Sequence, residues 1–223
     1  RDVLDYVMES KIYYNILSNK QREILPRLGF LKQRQVYLAG GTALALQIGH
    51  RSSIDFDFYD SKAFKPEDVL RQFQKFIRDI SVIQMNEGTL ILDTEGIQVS
   101  LFHYEYRVIR PFVHAKHLFL LSLEDISAMK LIAIIQRGTK RDFIDIYYLI
   151  QRFGLEIIFF YSEEKYPGIF NPYLALQALT YFKDAENEPP GPREGVFDGL
   201  PVWDDVKNYL IEVVTEYKKE QIG

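Results

Sequence analysis

Cysteine is absent from this 223-residue chain, which removes disulfides, thiolate zinc sites and cysteine nucleophiles together. Long apolar runs are absent as well. The stretch 155–161 comes closest, is far too short to span a membrane, and already carries Glu156. No basic-then-apolar leader follows Arg1, so no secretion signal is expected and the cytoplasm is the simplest address. Positive charge is not in excess either: the net charge of −4 argues against the broad basic footprint of a duplex-DNA binder. Internal repeats and low-complexity tracts are missing too. What the chain does have is apolar and aromatic weight, 47% hydrophobic with 16 Phe and 15 Tyr. That suffices for one large domain, or a small one with helices appended.

The most informative residues are Asp55 and Asp57 in Ser53-Ile54-Asp55-Phe56-Asp57-Phe58-Tyr59. On an extended strand Ile54, Phe56 and Phe58 share one face and the two acids the other. Their Cα atoms are then about 6.5–7 Å apart, within common reach of a hard cation. Two carboxylates held this near repel unless a cation or proton lies between them. Shortly before them stands Gly40-Gly41 between a strand pattern and a helix pattern. Such a junction offers free backbone N–H groups to a phosphate, and glycine lets the phosphate approach closely. Carboxylates and cradle together suit a nucleoside triphosphate held through magnesium.

The pattern along the chain expects helix over 3–30, interrupted near Asn19 or Pro26, then a strand at 35–39 and a helix at 42–48 closed by Gly49. The acidic strand at 54–59 and a helix from Pro66 to about Arg78 follow. Strands at 81–85, 89–93 and 97–104, separated by Asn86-Glu87-Gly88 and Glu95-Gly96, read as an antiparallel meander. Beyond Pro111 helices dominate: 123–136 capped by Ser122, 140–152 ended by Gly154, 155–165, 171–183, and 203–220 after a Pro/Gly-rich linker at about 184–201. The class is therefore α+β: a sheet-bearing lobe over 1–112 with N-terminal helices, then a helical lobe over 113–223.

Tyr37-Leu38-Ala39-Gly40-Gly41-Thr42-Ala43-Leu44-Ala45-Leu46, then Gly49-His50-Arg51-Ser52 and Asp55-Phe56-Asp57-Phe58, resembles the AbiEii/AbiGii toxin family of nucleotidyltransferases. Leu123-Glu124-Asp125-Ile126-Ser127-Ala128-Met129-Lys130-Leu131, Arg137, and Arg141-Asp142-Phe143-Ile144-Asp145-Ile146-Tyr147 are similar to its second signature. The resemblance implies a nucleotidyltransferase-like mixed sheet flanked by helices, magnesium (Mg2+) on Asp55 and Asp57, and triphosphate contacts from Gly40, Gly41 and Thr42. Lys130 is implied to bind phosphate, and Asp142 to serve the active site or orient a partner. Also implied are a nucleoside triphosphate substrate, a tRNA or other RNA acceptor, and a cognate antitoxin. Ser100 stands where many enzymes of the wider fold carry a third acid, which motivates an alternative: a nucleotide- or partner-binding module without turnover.

Blander readings compete residue by residue. A mid-helix lysine such as Lys130 is ordinarily a solvated charge. Asp142 and Asp145 are expected in the first turn of a helix, where the dipole favours acids in any case, and Asp145 is only a secondary candidate. Arg137 and Arg141 read as their ion-pair partners. Arg51 is more suggestive, since a cation beside the acids would lower their pKa and also meet phosphate. His114 and His117 lack a third ligand. The Tyr and Phe abundance reads first as core, with base stacking a distant second.

Overall fold

The computed structural model describes residues 11–188 and 200–222. The expected start of helix at residue 3 and most of the 184–201 linker lie outside them. Helix α1 (Asn19–Ile24) opens with a capping box: Ser18 Oγ accepts from Gln21 N, and Gln21 Oε1 accepts from Ser18 N. Pro26 lacks the N–H that an α-helix interior needs. The chain accordingly continues as a tighter 3-10 segment over Leu25–Arg34 that buries Leu25, Leu28 and Leu31.

Strand β1 (Tyr37–Leu38) leads into helix α2 (Gly40–Ile48), which takes in both glycines rather than beginning at Thr42. Strand β2 (Phe56–Asp60) alternates buried and half-buried residues, with Phe56 and Phe58 fully enclosed. Helix α3 (Pro66–Phe76) begins on its proline, with Glu67 and Asp68 in the first turn. The meander β3 (Ser81–Asn86), β4 (Thr89–Thr94) and β5 (Ile97–His103) forms as the turn signals dictate.

Two further strands, β6 (Val113–His114) and β7 (Phe119–Leu120), carry no recognisable pattern at two residues each. They complete a seven-stranded sheet of order β3-β4-β5-β2-β1-β7-β6. Pairs β2–β5 and β1–β7 are parallel, and the others antiparallel. Residues 113–120 therefore belong to the sheet, and the helices resume at α4 (Leu123–Gln136). There follow α5 (Lys140–Phe153), α6 (Leu155–Lys165), α7 (Pro172–Ala178), α8 (Lys183–Glu186) and α9 (Trp203–Ile222), α7 and α8 replacing the single helix expected at 171–183. One continuous core joins the sheet to α2, α4 and α5. Among the described residues no helix is long and apolar enough to cross a membrane.

Candidate active site

Sheet register decides what faces the cleft. Asp57 pairs with Ser100 across β2–β5, and the next pair on that face is Tyr59 with Phe102. Asp55 lies just ahead of β2 rather than inside it, yet it opens onto the same cleft as Asp57. That cleft, about 420 Å³, is also lined by Gly40, Gly41, Arg51, Lys130 and Asp142. Burial first, and then the charge of Asp55, push the Asp57 carboxyl above the usual carboxylate range. The hydroxyl of Ser100 donates to Asp57, and Gln98 Nε2 donates to Ser100 Oγ at 3.2 Å. No group of three or more histidines and acids able to hold a metal occurs among the described residues.

The glycines hold their places for steric reasons. Gly40 sits at φ +65°, where L side chains are strained, and a Cβ there would touch Asp57 Oδ2 at 3.4 Å. A Cβ at Gly41 would stand 2.2 Å from Arg51 Nη2. Thr42 lines the cleft, but its hydroxyl is engaged with Ser53 Oγ at 2.7 Å and with the Asp55 carbonyl. It ties the start of α2 to the segment that leads into Asp55. Gln21 reinforces the same segment, donating to the carbonyls of Ser53 and Ile54, each at 2.8 Å.

The opposite wall is a buried ion network. Lys130 Nζ lies 2.8 Å from Asp142 Oδ1 and 2.7 Å from Asp145 Oδ2. Arg51 grips Asp145 with two bonds, Nε to Oδ1 at 2.7 Å and Nη2 to Oδ2 at 2.8 Å. His50 Nε2 is 2.7 Å from the same carboxylate. Lys130 is only 7% exposed, so the reading of it as a solvated charge is corrected. Asp145 falls in the second turn of α5, not the first, and is the hub of the network rather than a dipole-favoured surface acid. Burial opposes its charge, but Arg51 and Lys130 outweigh that and hold the carboxyl well below its ordinary range. Burial also works against Asp142, and Lys130 and Arg137 again prevail, bringing it down to about 2. Thr139 caps α5 and donates to Asp142 Oδ2 at 2.7 Å.

Arg137 pairs with Asp142 at 3.1 Å, and both Arg137 and Arg141 rim the cleft. Residues not anticipated from sequence are Ser53, Tyr59, Gln98, Phe102 and Thr139, all on the cleft wall. The period of two on β2 and β5 could have found three of them, since Tyr59 follows Asp57 by two and Gln98 and Phe102 flank Ser100 by two. The His114 ring packs on Phe119, with centroids 5.0 Å apart, and takes no part in the cleft.

A sheet carrying paired acids against a glycine-led helix start is the working end of a nucleotidyltransferase fold, and likeness to known proteins agrees. Residues 30–165 match the model of the nucleotidyl transferase AbiEii toxin of type IV toxin–antitoxin systems. The protein aq_aa25 of Aquifex aeolicus is 34% identical over 209 residues, covering 90% of this chain and 97% of that one. The crystal structure of JHP933 from Helicobacter pylori superposes with a TM-score of 0.58 at 17% identity, over 92% of this chain and 94% of that one. MenT4, a nucleotidyltransferase toxin of Mycobacterium tuberculosis, gives 0.53 at 15% identity, over 88% and 82%. At these identities the two structures speak for the fold alone. The family match covers more than half of the chain, which therefore belongs to the AbiEii family of nucleotidyltransferase toxins.

Proposed function

We propose that this nucleotidyltransferase moves a nucleoside monophosphate from a nucleoside triphosphate to a hydroxyl at an RNA end, tRNA included, with magnesium as its cofactor. The observation that carries the reading is the convergence of Asp55, Asp57, Gly40-Gly41, Arg51 and Lys130 on one cleft. The residues present fit a divalent cation: Asp55 and Asp57 bring two hard oxygen donors to one cleft. Asp55 and Asp57 would hold the ion, which when bound would offset charge at the transferred phosphorus.

The chain's own groups do the rest. The amides at the start of α2 receive the phosphates. Lys130 and Arg51, held rigid by Asp142 and Asp145, present positive charge that needs no reorganisation as negative charge shifts onto the leaving group. The acceptor oxygen forms a bond to the α-phosphorus, the bond from that phosphorus to pyrophosphate breaks, and the hydroxyl proton leaves to solvent. Membership in a toxin–antitoxin family implies a protein antitoxin as partner, and the cytoplasm, where triphosphate and tRNA meet, suits the reading.

The test is transfer of label from each triphosphate in turn onto unfractionated tRNA with magnesium. Asp57→Asn should lower the rate by at least about a thousandfold while the thermal midpoint stays within a few degrees. Equal transfer by the variant sinks the reading. Tight calorimetric binding of triphosphate with no product would instead favour a binding module.

A further inference from the structure

Two aromatic rings stand on the floor of this charged cleft without an assigned task. Tyr59 and Phe102 are register partners on β2 and β5, their centroids 5.6 Å apart and their planes at 41°. Beside Tyr59 lie Tyr37, nearly parallel at 6.1 Å, and Tyr104, edge-on at 5.2 Å, which hold its ring in place. Phe56 and Phe58 on the other face of β2 are 0% exposed, as core rings should be. Tyr59 and Phe102 are only partly buried, and both line the cleft. Both rings thus keep some area open to the cleft, amid carboxylates and guanidinium groups.

Direction along the sheet says which substrate meets them. Ala39 N donates to Asp57 O at 2.9 Å, while Tyr37 pairs with Tyr59. Strand β1 therefore runs from the aromatic pair toward the glycines, so the phosphate cradle and the rings lie on opposite sides of Asp57. An in-line displacement puts the attacking and leaving oxygens on opposite sides of phosphorus. With the leaving pyrophosphate on Gly40-Gly41, the attacking hydroxyl arrives over Tyr59 and Phe102.

We propose that Tyr59 and Phe102 form a stacking platform for the acceptor's terminal base, the flat ring carried by the sugar whose hydroxyl attacks the α-phosphorus. The proposal rests on the transfer reading above. It makes the platform tolerant of base identity, because every nucleobase has a π-face, and leaves recognition of the triphosphate to the other side of the cleft.

The experiment compares a short RNA ending in an intact 3′ nucleotide with the same RNA ending in an abasic one. The wild-type chain should show an acceptor KM about tenfold higher for the abasic end. Phe102→Leu keeps apolar volume and removes the ring. It should raise KM for the intact end by about tenfold and erase the difference, with triphosphate KM and kcat within about twofold of wild type. Phe102→Trp should restore the discrimination. A rise in triphosphate KM instead would assign the rings to the other substrate and overturn the proposal. Equal use of both ends by the wild-type chain overturns it without recourse to any variant, so a misfolded Phe102→Leu protein would not spare it. Transfer without discrimination removes the platform alone, whereas no transfer to any RNA with any triphosphate removes the underlying reading as well.

Discussion

At the scale of the residue, Gly41 shows how a single missing Cβ supports the chemistry. Arg51 lies where that Cβ would be, and the far end of an arginine normally yields at little cost. Here it cannot, because two hydrogen bonds pin the guanidinium to Asp145 in a site where Arg51 is 7% exposed. Gly41→Ala should drive Arg51 off that carboxylate, leaving a buried charge with fewer partners. Stability should fall by about 1–3 kcal/mol in urea titration, and transfer should fall with it. Equal stability and equal rate would show that Arg51 moves freely. The Gly-Gly pair was legible in the sequence as a strand-to-helix junction, but not this steric role. The neighbour at Gly41 comes from ten residues away, and its anchor, Asp145, from helix α5.

At the scale of the element, short α1 does more than its six residues suggest. Its capping box holds Gln21 so that one side-chain amide serves the carbonyls of Ser53 and Ile54, immediately ahead of Asp55. Gln21→Leu keeps a residue of similar size and leaves those carbonyls without their donor. We expect about 1–3 kcal/mol of lost stability together with a lower kcat, because the segment carrying Asp55 loosens. A stability loss with kcat untouched would confine α1 to a packing role. Elements with their own punctuation were legible in advance: Ser122 and Gln136 bound α4, and Leu155 and Lys165 bound α6, as their patterns indicated. Strands β6 and β7 were not, because two residues carry no period and exist only by pairing with β1 and with each other. Within the site, Asp55 and Asp57 could be read from spacing. Asp145 could not, since what makes it a hub is that His50 and Arg51 arrive from the loop between α2 and β2 and Lys130 from α4.

At the scale of the molecule, that same network ties the segment between α2 and β2 to helices α4 and α5 and should dominate the response to acid. Asp142 has a folded pKa of about 2 against an unfolded value near 3.9. A depressed carboxylate contributes stability that is fully present above the unfolded pKa and lost as pH falls through the folded one. The window is thus about pH 4 down to 2, and the contribution roughly 2.5 kcal/mol. Asp145, held lower still, acts in the same sense. His50 adds an earlier step. Burial lowers its pKa below 6.5, so under that pH the unfolded chain binds the proton more readily than the folded one, and stability falls there as well. Urea-unfolding free energies measured from pH 7 to 3 should therefore decline in two stages. His50→Gln should flatten the upper stage and leave the lower one in place. A flat profile down to pH 3 would mean that the network does not carry the charges the geometry gives it. Apolar contacts alone would then join α4 and α5 to the sheet, and nothing would hold Lys130 and Arg51 stiff across the cleft from the acids.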